Sequence, residues 1–417
     1  GMADPGMTPR GRAALAFGST ARWASRITGR GAGAMIGGLV AMTLDPSILR
    51  QLGAGRRCAI ITGTNGKSTT TGMVAAALSA LGSVATNGEG ANMDAGLVAA
   101  LSADRGATLA ALEVDEMHVP HVSDAVNPAV IVLLNLSRDQ LDRVGEINHI
   151  ERTLRTGLSR HPGAVVVANC DDVLMSSAAY DCPHVVWVAA GGGWSGDSVS
   201  CPRSGEVIVR EGRNWHSSGT NFRRPAPQWW FDDETLYGPN GLALSMRLAL
   251  PGSVNRGNAA QAVAAAVAMG ADPAAAVAAV CGVEEVAGRY RTVRIGDKHT
   301  ARLLLAKNPA GWQEALSMVN KTAAGVVIAV NGQVPDGEDL SWLWDVRFEH
   351  FGGTAVVAAG ERGTDLAVRL GYAGVEHSLV HDTVAAVESC SPGHVEVVAN
   401  YTAFLQLQRA LGRAGAR

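Results

Sequence analysis

Short apolar runs alternate along the chain with longer stretches in which apolar and polar residues are mixed. Cys58-Ala-Ile-Ile-Thr62 is apolar and β-branched, the pattern of a strand buried on both faces. Thr108–Val114, Ala129–Leu134 and Ala164–Ala168 repeat it. The segments between them, beginning with Ser68–Leu81, predict helices. This alternation predicts a mostly parallel sheet with helices on both faces. Residues 190–237 break the pattern. They are rich in Gly, Ser, Arg and Trp, with short alternating pieces such as Glu206-Val-Ile-Val-Arg210, and predict a small β insertion. Residues 255–281 are rich in Ala and Val and predict a helical pair. From 296 to 417, strands at Leu303–Leu305, Gly325–Val330, Thr354–Ala358 and Val395–Val398 alternate with helices, as in a second, Rossmann-like α/β domain. The expected organisation is a helical lead-in over 1–50, a central domain over 51–295 that carries the insertion, and a C-terminal α/β domain over 296–417.

Composition narrows the class. Apolar residues make up 47% of the 417 and charged residues 18%, a globular balance in a chain too long for one compact core. The formal net charge of -3 gives no reason to expect nucleic acid. No apolar run approaches the roughly 20 residues of a membrane-spanning helix, and no secretory pattern opens the chain, so a cytoplasmic location is expected. Gly1 ahead of Met2 reads as a tag remnant. Cys58, Cys170, Cys182, Cys201, Cys281 and Cys390 lie far apart with no CxxC, against a disulfide framework. Residues 9–50 carry Arg10, Arg12, Arg22, Arg26 and Arg30 among Ala, Leu, Ile and Gly. They read either as a helical lead-in packed on the next domain or as a basic surface beside anionic lipid.

The strongest chemical signal is Gly63-Thr64-Asn65-Gly66-Lys67-Ser68, set between a predicted strand and a predicted helix. In that context backbone N–H groups and a helix N-terminus converge on phosphates, Lys67 neutralises their charge and Ser68 ligates magnesium. A glycine turn with a chance lysine does not explain why strand, loop and helix occur in that order.

The extended loop Thr62–Thr69 is narrower than a general nucleotide loop. It resembles the Mur ligase family, which activates carboxylates as acyl phosphates during peptidoglycan synthesis, and the related folylpolyglutamate synthases. Asn87-Gly-Glu-Gly-Ala-Asn92, Leu112-Glu-Val-Asp-Glu116, Asn135-Leu-Ser-Arg-Asp139-Gln-Leu-Asp142 and Leu250-Pro-Gly-Ser-Val-Asn255-Arg-Gly-Asn258 follow in the family's order, with Gly288-Arg289 as the start of the link to the last domain. The resemblance implies ATP and Mg²⁺ as cofactors. Gly63–Thr69, Asn255, Asn258 and Arg289 would hold the nucleotide. Ser68, Glu113 and Asp139 would hold the metal, with Glu116 as a nearby alternative to Glu113.

The departures matter too. Gln140 stands where the family has a magnesium-binding histidine, no lysine follows soon after Asp142, and 306–309 read Ala-Lys-Asn-Pro in place of an Asp-x-Ala-His pattern. Few residues precede the loop in this sequence, so the family's UDP-binding domain is not expected here. These departures, with Asp336-Gly-Glu-Asp339-Leu-Ser-Trp-Leu-Trp-Asp345, resemble the amidating branch of the family. Its synthetase subunits work with a GatD-type glutaminase (a glutamine amidotransferase) on lipid II at the membrane surface. The resemblance implies that an aspartate of this segment, Asp339 or else Asp336 or Asp345, completes the partner's Cys-His pair by orienting the histidine. The acids follow a predicted strand end, where sites in α/β sheets lie, although a solvated turn anchored by tryptophans has the same composition. Relatives of this branch often carry a four-cysteine zinc ribbon in the insertion. Here only Cys201 and His216 remain, and no zinc is expected; Trp215, Phe222, Trp229 and Trp230 would hold the shape by packing. His118 reads either as a group facing the site or as a satisfied structural histidine. Two other functions stay open at this point: a stand-alone amino-acid ligase of the Mur or folylpolyglutamate type, and a nucleotide-binding scaffold without chemistry.

Overall fold

The computed structural model describes residues 7–28, 33–87, 94–136, 144–192, 200–250, 252–283, 290–306, 309–336, 339–351 and 353–414. Its contacts divide the chain into two compact units. The first comprises Gly1–Leu136, Val144–Leu250 and Asn255–Glu284, and the second holds the C-terminal part from Glu285 to Arg417 together with Ser137–Arg143 and Pro251–Val254.

The first unit opens with helices α1 (Pro9–Thr28), α2 (Gly33–Leu44) and α3 (Ile48–Gly53). Then come β1 (Arg57–Thr62), α4 (Lys67–Leu78), β2 (Val84–Thr86), α5 (Asp94–Ala103), β3 (Leu109–Glu113), a 3₁₀ turn (Glu116–His118), α6 (Val119–Val126) and β4 (Val130–Leu133). The unit continues with α7 (Val144–Ser159), β5 (Val165–Asn169), α8 (Val173–Ala179), β6 (Val185–Ala189), β7 (Ile208–Glu211), β8 (Asn214–Ser217), β9 (Trp229–Asp232), β10 (Thr235–Gly238), β11 (Leu242–Ser245), α9 (Ser253–Ala268) and α10 (Pro273–Cys281). Among the described residues, a nine-stranded sheet runs β11-β10-β9-β6-β5-β4-β1-β3-β2. It is parallel from β9 to β2 and antiparallel at β10 and β11. β3 and β4 are buried along their whole length and β1 is buried from Cys58 to Thr62, which is why these strands are apolar runs and not alternating ones.

The insertion differs from its expected form. Only β7 and β8 pair apart from the main sheet, around a small core of Val173, Cys201, Ile208, Trp215 and Phe222. β9 joins β6 in parallel and carries the sheet on to β10 and β11. Trp229 and Trp230 accordingly belong to the main sheet: Trp229 is buried beside Gly238, and Trp230 stacks on Tyr237 at 5.5 Å. Cys201 is buried in the small core and His216 is exposed on β8.

The second unit contains β12 (Tyr290–Ile295), β13 (His299–Leu305), α11 (Pro309–Met318), β14 (Gly325–Ala329), β15 (Val356–Ala359), α12 (Gly363–Tyr372), β16 (His377–Leu379), α13 (Thr383–Glu388), β17 (Gly393–Ala399) and α14 (Tyr401–Ala414). The sheet order is β12-β13-β17-β14-β15-β16, parallel except for the β12–β13 pair. Among the described residues, no helix is long and apolar enough to cross a membrane.

Candidate active site

β1 delivers the glycine-rich loop to the start of α4. Gly66 caps that helix at φ 85°, a left-handed conformation that glycine adopts without steric cost. It also lies under the α9 side chain of Asn258: a Cβ at Gly66 would stand 3.1 Å from Asn258 Nδ2. Asn258 Nδ2 in turn faces Asn255 Oδ1 at 3.5 Å, and both asparagines are buried. The asparagine segment and the phosphate-type loop thus pack together, although about 190 residues of sequence separate them.

The two loop side chains with the clearest chemistry have acidic partners. Ser68 donates from Oγ to Glu113 Oε2 at 2.8 Å, in a fully buried contact. Lys67 Nζ pairs with Glu116 Oε1 at 2.8 Å. Burial pushes the Glu116 carboxyl above its ordinary value, against the opposing pull of Lys67. Glu113 and Glu116 therefore serve different members of the loop. β3 and the turn after it supply both carboxylates, because β3 lies next to β1 in the sheet.

Asn135 and Asn87 are further parts of the site whose side-chain roles no local pattern announces. Asn135, just past β4, accepts from the Asn65 N–H at 2.9 Å through Oδ1 and donates to the Asn65 carbonyl at 2.8 Å through Nδ2. Its own carbonyl accepts from the Thr64 N–H at 2.9 Å. Asn87, at the end of the loop's second neighbour strand, holds Glu113 in the same two-way fashion, with 2.7 Å bonds to the Glu113 carbonyl and N–H. Gln261 on α9 donates to the Leu133 carbonyl at 2.9 Å and ties that helix to the end of β4. An amide is suited to each of these places, since it can donate and accept at once. Asp139, Gln140, Asp142, Arg289 and the segment Gly88–Met93 lie outside the described residues.

His118 does not meet the loop side chains. It contacts Asp94 at the start of α5, and His121 reaches the other oxygen of the same carboxylate at 2.8 Å.

In the second unit the three aspartates separate by environment. Asp336 is buried; it accepts from the Thr402 N–H at 2.9 Å and the Gln333 N–H at 3.2 Å, and from the Thr402 hydroxyl. It fastens the turn after β14 to the start of α14. Asp339 and Asp345 are exposed, and Asp339 accepts from the Ser341 N–H at 2.9 Å. Trp312 and Trp342, buried and stacked at 5.3 Å, anchor the segment between these two acids.

Comparison with known proteins follows this division of the chain. The family model "Mur ligase middle domain" matches residues 61–266, and "MurT ligase C-terminal" matches residues 305–404. The chain belongs to the MurT branch of the Mur ligases. A lipid II isoglutaminyl synthase (glutamine-hydrolyzing) subunit MurT from Streptococcus pneumoniae is 28% identical over 417 aligned residues, covering 91% of this chain and 93% of that protein. The protein of the same description from Staphylococcus aureus is 27% identical, covering 96% and 98%. Among solved structures, a pseudomurein peptide ligase type C from Methanothermus fervidus shares the fold with a TM-score of 0.65 at 17% identity, over 86% of this chain and 79% of that one. The MurT relatives match across both units, so the α/β architecture expected from the sequence is that of the Mur ligase middle and C-terminal domains.

Proposed function

We propose that this chain is the ATP-dependent synthetase subunit that amidates the α-carboxyl of D-isoglutamate in the stem peptide of lipid II. It would use ammonia from a GatD-type glutaminase and work as a peripheral protein at the inner face of the membrane. The observation that carries the reading is the buried Ser68–Glu113 pair beside Lys67, in a chain aligned from end to end with MurT subunits. ATP and Mg²⁺ fit these residues. A hydroxyl and a carboxylate at 2.8 Å form an oxygen donor set of the kind magnesium takes. The buried Thr69 hydroxyl has no hydrogen-bond partner among the described residues, and it follows Ser68 on the first turn of α4. Gly66 caps the head of that helix, the end at which anions bind.

The chemistry divides into two displacements. A carboxylate oxygen of the substrate attacks the γ-phosphorus and ADP departs, which leaves an acyl phosphate. Ammonia then attacks the acyl carbon, phosphate departs with the bonding pair, and one proton is lost as the amide forms. The bound metal would neutralise phosphate charge as the γ-phosphoryl moves. Lys67 exchanges Glu116 for phosphate oxygens. Ser68 and Glu113 would hold the metal, and Asn135 and Asn87 hold the loop and Glu113 in place. Asn255, Asn258 and Arg289 are assigned to the nucleotide and Asp139 to the metal by the family pattern. Most of the rate gain in such a site comes from positioning and charge neutralisation. Asp339 is the aspartate proposed to serve the glutaminase, with Asp345 as the other exposed candidate. Asp336 is the weakest of the three, since its oxygens already hold the turn together.

One assay separates these roles. With ATP, lipid II and ammonium but no partner, the chain is expected to convert the acid to the amide, read by mass analysis of the stem peptide. Lys67→Ala should lower that rate by about a hundredfold or more. Asp339→Asn should leave it intact and abolish only the glutamine-driven reaction of the complex. Addition of an amino acid in place of ammonia would instead mark a stand-alone ligase, and full activity in Lys67→Ala would mark a scaffold.

A further inference from the structure

We infer that Asp94, His118 and His121 form a binding site for a divalent transition-metal ion of the zinc class, distinct from the magnesium site of the nucleotide. One ligand atom from each residue lies within 4.8 Å of the others, and this is the one such group among the described residues. Small side-chain rotations close that span to the about 3.3 Å that separates neighbouring ligands around tetrahedral zinc. The two histidines are three positions apart, across the join of the 3₁₀ turn and α6, and therefore share a face. Their rings lie 4.9 Å apart. The carboxylate comes from a different element, the first residue of α5. Both imidazoles direct a ring nitrogen at it, His121 at 2.8 Å.

The donor set decides the class of ion. Two imidazoles and one carboxylate suit Zn²⁺, Co²⁺ or Ni²⁺, whereas Mg²⁺ prefers oxygen donors and bound water. Access is open on one side. The Asp94 and His118 side chains are each 19% exposed and that of His121 is 58% exposed, so an ion can enter from solvent and keep a water as its fourth ligand. Without an ion, the same atoms satisfy one another as hydrogen-bonded pairs, and an ion would take the place of the shared protons.

The position gives such an ion a consequence. The turn that bears His118 also bears Glu116, which holds Lys67 of the phosphate loop. An ion at Asp94, His118 and His121 would fix that turn to α5 and so restrict the group that Lys67 must leave to meet phosphate. This inference does not depend on which substrate is amidated.

The test uses the full chain, stripped with chelator and titrated with Co²⁺. One equivalent is expected to give visible ligand-field bands without the thiolate-to-metal band that the free cysteines would produce. Zn²⁺ should displace the Co²⁺ one for one and raise the thermal unfolding midpoint. His121→Ala should weaken Co²⁺ binding about tenfold or more, and Asp94→Asn likewise. Because His121 is largely exposed, its variant is expected to keep the fold, which circular dichroism checks. A folded wild-type chain with no stoichiometric cobalt spectrum would overturn the proposal. So would a spectrum and affinity that persist unchanged in His121→Ala and in His118→Ala/His121→Ala.

Discussion

Asp172 shows how much a single buried carboxylate can do near the phosphate-type loop. It caps α8 by accepting from the Met175 N–H at 2.8 Å, and its other oxygen accepts from the Leu136 N–H at 3.1 Å, one residue past the Asn135 clamp. Burial raises its pKa from 3.8 to about 6, more than these two bonds lower it. The sign of the effect on stability follows. Below the unfolded value both states hold the proton and nothing is lost. Between the unfolded and the folded values the unfolded state gives up its proton while the native state keeps it, so stability falls as pH rises, and it levels off above the folded value, where both states are ionised. Asp172→Asn removes the titration but also one acceptor. Urea unfolding should therefore show the wild type's advantage over Asp172→Asn shrinking between roughly pH 4 and pH 6, and an advantage that grows over this range would refute the assignment. At this scale the sequence was readable only where function is local. Gly63–Ser68 announces itself by spacing, whereas Glu113 was marked only by the resemblance to the Mur ligases, with Glu116 as the alternative. The partners of Asn135, Asn87, Asp172 and His118 lie 24 to 70 residues away, and nothing in their immediate neighbours marks the pairing.

The elements were legible in proportion to their burial. β1, β3, β4 and β5 are apolar runs because both faces of a parallel sheet are covered, and a run of that kind is visible in any window. β16 is three residues long and exposed throughout, so it carries no apolar pattern and exists only through its pairing with β15. β6 abuts the glycine stretch that opens the insertion, and only its pairing with β5 and β9 reveals it as the strand that joins insertion to sheet. α9 makes a sharper case. Its Ala-rich sequence predicts a helix, but its placement depends on one glycine. A Cβ on Gly257 would lie 1.9 Å from the Ala190 carbonyl oxygen, which belongs to the backbone just after β6. That contact lets α9 approach closely enough for Asn258 to cover Gly66. Gly257→Ala is expected to cost about 1–3 kcal/mol by overpacking, despite the better helix propensity of alanine. The same change should weaken nucleotide binding by shifting Asn255 and Asn258. Chemical denaturation and nucleotide titration check both effects, and a more stable variant with unchanged affinity would show that α9 is not held by this contact.

At the scale of the whole molecule, the two units divide the labour that the proposed reaction requires. The first has the glycine-rich loop, Glu113, Glu116, Asn255 and Asn258, and the second displays an aromatic surface that its own core does not need. Trp344 is 54% exposed and Tyr372 is 78% exposed, in edge-to-face contact at 5.3 Å. The Arg369 guanidinium, bonded to the Leu343 and Val346 carbonyls, stacks against Trp344 at 5.3 Å and holds it rigid. Exposed, immobilised aromatics of this kind are costly in a free chain and common in protein interfaces. Asp345 follows Trp344 directly, and Asp339 stands in the same segment, so a glutaminase that used Asp339 would have this surface close at hand. Tyr372→Ala should leave the unfolding free energy of the chain within about 0.5 kcal/mol of wild type, since the ring is mostly in solvent. It should nevertheless weaken assembly with the glutaminase by about tenfold, and Trp344→Ala by at least as much. Titration calorimetry of the two subunits reads the affinity, and the ammonium-driven reaction should survive both changes because the chemistry of the first unit is untouched. Equal affinity in both variants would place the partner elsewhere on the chain. Weakened assembly together with lost ammonium activity would mean that the surface supports the synthetase itself and not the docking of a second subunit.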